Sequence, residues 1–236
     1  ISQNGIRGRA EATGLGVFYS VREATLVDDD MRKLGLTPGI KDKKVVVQGF
    51  GNVGYHSAMF FATNGAKVVG VTERDGAVYD PNGLDLDDLK RYVDSQREQR
   101  TGAVFRGYPR AKFFANSEDL LEVNCDILIP AALEGTINKT NVHKIQAKII
   151  GEGANGPVTP WANDYLVKQG NTIVPDFFCN AGGVTVSYFE WLKNLGHVQF
   201  GKLTKTAEEA GKKDLLNTIQ RLTNREITAN EYKLLA

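Results

Sequence analysis

The stretch Lys44-Val45-Val46-Val47-Gln48-Gly49-Phe50-Gly51-Asn52-Val53-Gly54 decides how the whole chain is read. Lys44–Gln48 is a compact β-branched run, the pattern of a strand buried on both faces. It runs directly into Gly-x-Gly-x-x-Gly, after which Val53, Ser57, Phe60 and Phe61 fall on one face of a helix. The glycine pattern alone is weak, but between a strand and a helix it is a cradle for the pyrophosphate of a dinucleotide. Gly49 makes the tight turn, Gly51 lets the phosphates approach the backbone, and Gly54 lets helix and strand pack closely. Exposed N–H groups and the positive end of the helix then hold the anion, with Asn52 and Val53 in its first turn.

An acid follows where the adenosine ribose needs one. Glu73 ends a second apolar run, Lys67 to Thr72, within Val71-Thr72-Glu73-Arg74-Asp75-Gly76. A carboxylate there accepts both ribose hydroxyls of NAD and repels a 2′-phosphate, whereas Arg74 beside it offers that phosphate a cation. The expected cofactor is NAD, with NADP possible.

Further short apolar runs recur at Cys125 to Pro130, Lys148 to Ile150 and Thr172 to Val174. Helical patterns separate them. One helix covers Thr13 to Asp30, with an acidic end at Asp28, Asp29 and Asp30. Another carries Leu86, Leu89, Tyr92 and Val93 on one face. A third starts at Thr159-Pro160, a capping hydroxyl before a proline, and closes at Gly170. Tyr79-Asp80-Pro81-Asn82-Gly83 reads as a turn. Strands alternating with helices predict a Rossmann-like, doubly wound α/β domain with a mainly parallel sheet, over residues 1–201. Residues 202–236 are rich in Lys, Glu and Thr, and Leu215, Leu216, Ile219 and Leu222 suit one amphipathic helix, hence a C-terminal helical appendage.

Composition excludes several function classes. The chain has 236 residues, 42% apolar and 24% charged, with a formal net charge of +1. That balance calls for neither nucleic acid nor an anionic membrane as partner. No apolar run approaches the roughly 20 residues that span a bilayer. The N-terminus lacks both a signal-peptide layout and an initiator Met, as in a fragment or processed form. Cys125 and Cys179 are read as free core thiols of a reducing compartment, so the expected location is intracellular, in the cytoplasm or the mitochondrial matrix. His56, His143 and His197 are scattered without metal-ligand spacing, and no metal site is expected.

Several ordered blocks narrow the class further. Gln48 to Gly54 resembles the fingerprint of the glutamate dehydrogenases. So do Gly8-Arg9-Ala10-Glu11-Ala12-Thr13-Gly14-Leu15-Gly16-Val17, Cys125 to Ala132, Glu152-Gly153-Ala154-Asn155-Gly156-Pro157, and Asn180-Ala181-Gly182-Gly183-Val184-Thr185-Val186-Ser187 with Tyr188-Phe189-Glu190-Trp191 after it. The blocks run from about Gly5 to Gly201 in the order of that family. The resemblance implies that Thr13 and Asn52 bind the cofactor, with Glu73 on the adenosine ribose. Ala132 and Asn155 would line the nicotinamide half, and Asn180 would face the carboxamide. Val184 and Ser187 would face the cleft, where the Ser187 hydroxyl donates to the distal carboxylate of glutamate.

It implies further that the catalytic lysines and aspartate belong to a preceding substrate domain, so no catalytic residue is expected among these 236. The activity implied is interconversion of L-glutamate with 2-oxoglutarate and ammonia by hydride transfer to NAD(P), in a homo-oligomer that is hexameric across the family. Residues 202–236 are similar to the start of an antenna. Two other readings stay open: a leucine, phenylalanine or valine dehydrogenase on the same scaffold, and a dinucleotide-binding module without catalysis.

Overall fold

The central strand is apolar at every interior position because both faces of its sheet are covered. Lys44–Gln48 forms β1, and Val45, Val46 and Val47 are each completely buried. Successive side chains point to opposite faces. Val45 and Val47 therefore join one core and Val46 the other. The computed structural model describes residues 5–98, 104–195, 214–218 and 220–222.

The described elements run α1 (Ala12–Thr25), α2 (Asp28–Lys33), β1, α3 (Asn52–Thr63), β2 (Lys67–Glu73), β3 (Gly76–Tyr79), α4 (Leu86–Glu98), β4 (Lys112–Phe114), β5 (Ile127–Pro130), β6 (Ile149–Gly151), α5 (Pro160–Lys168), β7 (Thr172–Val174), α6 (Asp176–Cys179) and α7 (Ala181–Leu195). Seven strands form one sheet in the order β4-β3-β2-β1-β5-β6-β7. Pairings from β2 through β7 by way of β1, β5 and β6 are parallel, and β3 and β4 add antiparallel to the edge beside β2. The expected α/β doubly wound, mainly parallel sheet is thus what the chain forms.

One face packs under α1, α3 and α4 through Phe18, Phe61, Leu89 and Val93. The other packs under α5 and the 3-10 turn Ser117–Glu122 through Leu120, Leu121, Ala162 and Leu166. The chain leaves β1 toward β2 on one side and returns to β5 on the other. A crevice opens at the carboxyl ends of strands where the winding reverses in this way.

Two local expectations are corrected, and the strands β3 and β4 were not anticipated. The helix expected from Thr13 to Asp30 is two helices, broken at Leu26 and Val27, where Val27 is extended. The reason is electrostatic: Asp28, Asp29 and Asp30 occupy the first turn of α2, where the helix end is positive, rather than the negative end of one long helix. Before the expected turn, Gly76–Tyr79 forms an unanticipated strand. It returns on β2 through Arg74 and Asp75, with Glu73 opposite Gly76. Gly76 takes φ +146 there, and a Cβ on it would lie 2.4 Å from the carbonyl of Phe114. Finally, α5 starts at Thr159-Pro160 as expected, but the Thr159 hydroxyl makes no capping bond and is buried without a partner. Gly170 does close that helix, at φ +87.

The chain forms two compact units, 6–187 and a second made of 1–5 with 188–236. In the second, the Lys193 ammonium donates to the carbonyl of Gly5, and residues 214–218 and 220–222 are helical with Leu216 buried. Ile219 and the boundary expected at 201/202 lie outside the described residues.

The glycines of the cradle differ sharply in what they tolerate. A Cβ on Gly54 would stand 1.9 Å from the carbonyl oxygen of Gly49, which is backbone and cannot swing away. At Gly51 nothing lies within 4 Å, and its φ of −78 suits any residue. Gly54→Ala should lower the unfolding free energy by about 2–3 kcal/mol in urea titration, whereas Gly51→Ala should change it by less than about 0.5 kcal/mol. Equal effects of the two substitutions would contradict this packing account.

Candidate functional site

The cradle is built from a turn that ends β1 and a helix that starts without a side-chain cap. Gly49 sits at φ +88 and donates its N–H to the Thr72 carbonyl at 2.8 Å, which pins the turn to β2. Gly51 then takes the N-cap position of α3, and the first intrahelical bond runs from Tyr55 N–H to the Gly51 carbonyl at 2.9 Å. The preceding N–H groups have no partner within the helix, as at any helix start. The open space over Gly51 and the close approach at Gly54 fit the bare backbone surface that a pyrophosphate needs. The Asn52 amide donates to the Ala10 carbonyl at 2.6 Å, tying the cradle to the segment that leads into α1.

Glu73 reaches back to this turn. Its Oε1 accepts from the Phe50 N–H at 2.9 Å and from the guanidinium of Arg97 at 3.4 Å. Arg74, the cation expected beside it, meets Glu73 through its backbone N–H at 3.3 Å. Arg97 comes from the last turn of α4, 24 residues away, and also donates to the Phe50 carbonyl at 3.3 Å. Sequence reasoning missed it, because no motif marks it beyond its place among the basic residues of a helix C-terminus. Phe50 itself is buried edge-on to Tyr55 and beside Phe105. Asp75 holds that support in place, since one of its oxygens accepts from the successive N–H groups of Val104, Phe105 and Arg106.

Next to the cradle lies a cavity of about 480 Å³. It brings together Thr13, Val53, Ala132, Asn155, Asn180, Val184 and Ser187, seven of the expected site residues from five separate parts of the chain. Arg9, Ala131, Gly153, Ala154 and Gly183 also line it and were not anticipated. Gly49, Gly54, Glu73 and Arg74 are not among its lining residues. Gly51 and Asn52 instead border a second concavity of about 540 Å³, with Phe50, Tyr55, His56, Lys90, Asp94 and Arg97.

The walls of the first cavity sit where they do because glycines let helices touch. A Cβ on Gly14 would be 2.7 Å from His56 Cβ and the Ser57 nitrogen, so α1 lies backbone-close to α3. On the other side, a Cβ on Gly183 would be 2.0 Å from the Thr13 hydroxyl, and one on Gly182 would be 2.4 Å from the Ala12 carbonyl. Helix α1 is therefore wedged between the cradle helix and the start of α7. Opposite, the Asn180 amide donates to Asn155 Oδ1 at 2.8 Å, so two contacts expected separately form one hydrogen-bonded pair. The loop carrying Asn155 is fixed to β5 by the N–H groups of Gly153 and Ala154, which share the Pro130 carbonyl at 3.0 and 2.9 Å.

The chemistry available is orientation rather than proton transfer. Among the described residues the cavity is lined by hydroxyls, amides, apolar groups and one guanidinium, without a carboxylate or imidazole. Glu152, three residues before Asn155, is buried, and desolvation raises its carboxyl above its ordinary value despite the N–H groups it accepts. Cys125 and Cys179 are free, and burial pushes both thiols up to about 12, so neither supplies a thiolate. No group of His, Cys, Asp and Glu side chains suited to a metal occurs among the described residues.

Comparison with known proteins shows the family. The family model for glutamate/leucine/phenylalanine/valine dehydrogenase matches residues 4–231. The mitochondrial glutamate dehydrogenase of Dictyostelium discoideum is 52% identical over 235 residues, covering all of this chain and 46% of that protein. The NADP-specific glutamate dehydrogenase A1 of Halobacterium salinarum is 40% identical over 201 residues, covering 85% of this chain and 45% of that one. The hetero-hexameric glutamate dehydrogenase of Thermus thermophilus superposes with a TM-score of 0.69 at 29% identity, over 84% of this chain and 43% of its own. The chain thus spans about half the length of the relatives it matches. With its cradle, its asparagine pair and its seven-stranded sheet, the chain belongs to the glutamate/leucine/phenylalanine/valine dehydrogenase family.

Proposed function

We propose that this chain is the cofactor-binding half of an NAD(P)-dependent glutamate dehydrogenase, which oxidatively deaminates L-glutamate to 2-oxoglutarate and ammonia. The observation that carries this is the convergence of Thr13, Asn155, Asn180 and Ser187 on one cavity beside the cradle. In this reading the N–H groups of Gly51, Asn52 and Val53 hold the pyrophosphate, helped by the α3 helix end. Glu73 accepts from the adenosine ribose, and Ala132, Asn155 and Asn180 place the nicotinamide half. The chemistry that this cofactor supplies when bound is acceptance of a hydride from the substrate carbon. Ser187 offers a hydroxyl to the distal carboxylate of glutamate, with Val184 beside it. An apolar side-chain pocket has no use for that donor, which favours glutamate over leucine, phenylalanine or valine.

NAD is the preferred cofactor, because Glu73 stands at the ribose with a carboxylate that repels a 2′-phosphate. Arg97 and Arg74 next to it offset part of that repulsion, so NADP binds too. The helical residues 214–218 and 220–222 fit the expected antenna-like appendage. Large exposed apolar groups on α7, including Trp191 and Leu195, suit a homo-oligomer. An intracellular location, cytoplasmic or in the mitochondrial matrix, fits the free thiols.

Two measurements test this reading. In calorimetric titration NAD should bind more tightly than NADP. NADP binding tighter by more than about tenfold, roughly 1.4 kcal/mol, would overturn the role given to Glu73. The second is a steady-state assay of the 236-residue chain alone. Binding without catalysis is expected, since hydride transfer needs the substrate carbon held about 3–3.5 Å from its acceptor and a positioned base. Ser187 anchors only one end of the substrate. Glutamate oxidation clearly above background, abolished by Ser187→Ala, would show that the acid–base machinery lies within these residues after all.

A further inference from the structure

Two acidic residues with no part in the proposed contacts are hydrogen-bonded to each other and to the segments that carry the asparagine pair. Glu152 follows β6 and is 7% exposed, and Asp176 opens α6. The Asp176 N–H donates to Glu152 Oε2 at 2.9 Å. Asp176 in turn commits both of its own oxygens to backbone groups. Its Oδ1 accepts from Phe177 N–H at 2.6 Å, which is an ordinary role at a helix start. Its Oδ2 accepts from Gly156 N–H at 2.8 Å, a bond that spans 20 residues of chain.

That second bond has a particular position. Gly156 directly follows Asn155, at φ +55 and with nothing within 4 Å of where a Cβ would stand. On the other side of Asn155, Ala154 is tied to the Pro130 carbonyl. Asn155 is therefore slung between two tethers, one to β5 and one to Asp176. Asn180 hangs from the same residue, because its N–H donates to the Asp176 carbonyl at 2.9 Å. One aspartate thus connects the loop that presents Asn155 to the turn that presents Asn180. A charged acceptor is the stronger choice for such a tether, and Glu152 fixes where its backbone sits.

We propose that Asp176, seated by Glu152, is a positioning residue that sets the Asn155–Asn180 pair for the amide of a nicotinamide ring. Resting on the assignment of this cavity to the nicotinamide half, it predicts an effect confined to that half. Planar amide groups that are out of place leave a bound carboxamide with unpaired polar atoms, while the cradle and Glu73 stay untouched.

The test compares NAD with ADP-ribose, which shares the adenosine, both riboses and the pyrophosphate but lacks the nicotinamide. Both are titrated against the 236-residue chain and its variants. Asp176→Ala should weaken NAD by about tenfold or more and ADP-ribose by less than about twofold. Asp176→Asn keeps one carbonyl acceptor and carries the test if the alanine variant does not fold. It should weaken NAD by more than about threefold and again spare ADP-ribose. Equal losses for both ligands, or unchanged NAD affinity in the asparagine variant, would overturn the positioning role. A wild-type chain that binds neither ligand would instead overturn the cofactor assignment itself.

Discussion

The structure depends on backbone meeting backbone where no side chain can stand. Gly54 touches the Gly49 carbonyl, Gly14 touches α3, and the Gly182–Gly183 pair touches α1 around Thr13. These contacts bring the cradle helix, α1 and the start of α7 together around one cavity. Loss of any one of them would do more than open a void. It would separate walls of the cavity that come from distant parts of the chain, because packed interiors transmit such shifts. The same glycines that let the domain pack are therefore what give the site its shape.

Around that frame the polar groups divide the labour. Bare N–H groups and a positive helix end face the place proposed for phosphates, and amides, hydroxyls and one guanidinium line the cavity beside it. Carboxylates near the site also hold protein backbone. Glu73 braces Phe50, Asp75 braces the turn under Phe50, and Asp176 braces Gly156. Spending charge on fixed N–H groups makes a rigid receptor, and rigidity suits the placement role proposed for this chain. Both cysteines stay buried and protonated, which keeps reactive sulfur away from the cavity.

What was legible in the sequence was mostly local. β1 and β7 have the expected ends, and Gly49 and Gly54 do what a tight turn and a close approach require. Seven of the residues named from the ordered blocks do meet around one cavity. Features fixed by distant partners were not legible. Arg97 reaches Glu73 across the fold, and the Asn155–Asn180 bond joins residues 25 apart. The antiparallel strands β3 and β4 were missed because β3 opens on a glycine with two residues between it and β2, and β4 pairs with it from more than 30 residues away, so neither is marked by a local apolar run between helices. Thr159 misled for a related reason: its spacing fits a cap, yet local packing turns the hydroxyl inward and leaves it unpaired. The break between α1 and α2 was written in three aspartates, but they read equally well as a solvated tail.

The central claim is that a dinucleotide lies across the carboxyl ends of β1, β5 and β6, from the cradle to the asparagine pair. Amide hydrogen exchange of the chain with and without saturating NAD tests it most directly. Added protection is expected at residues 50–54, 131–132, 153–156 and 180–187, with no change at the opposite ends of the strands around Lys43 and Asp126. Protection that spares both the cradle and the asparagine pair, or that appears at that opposite edge, would contradict the account.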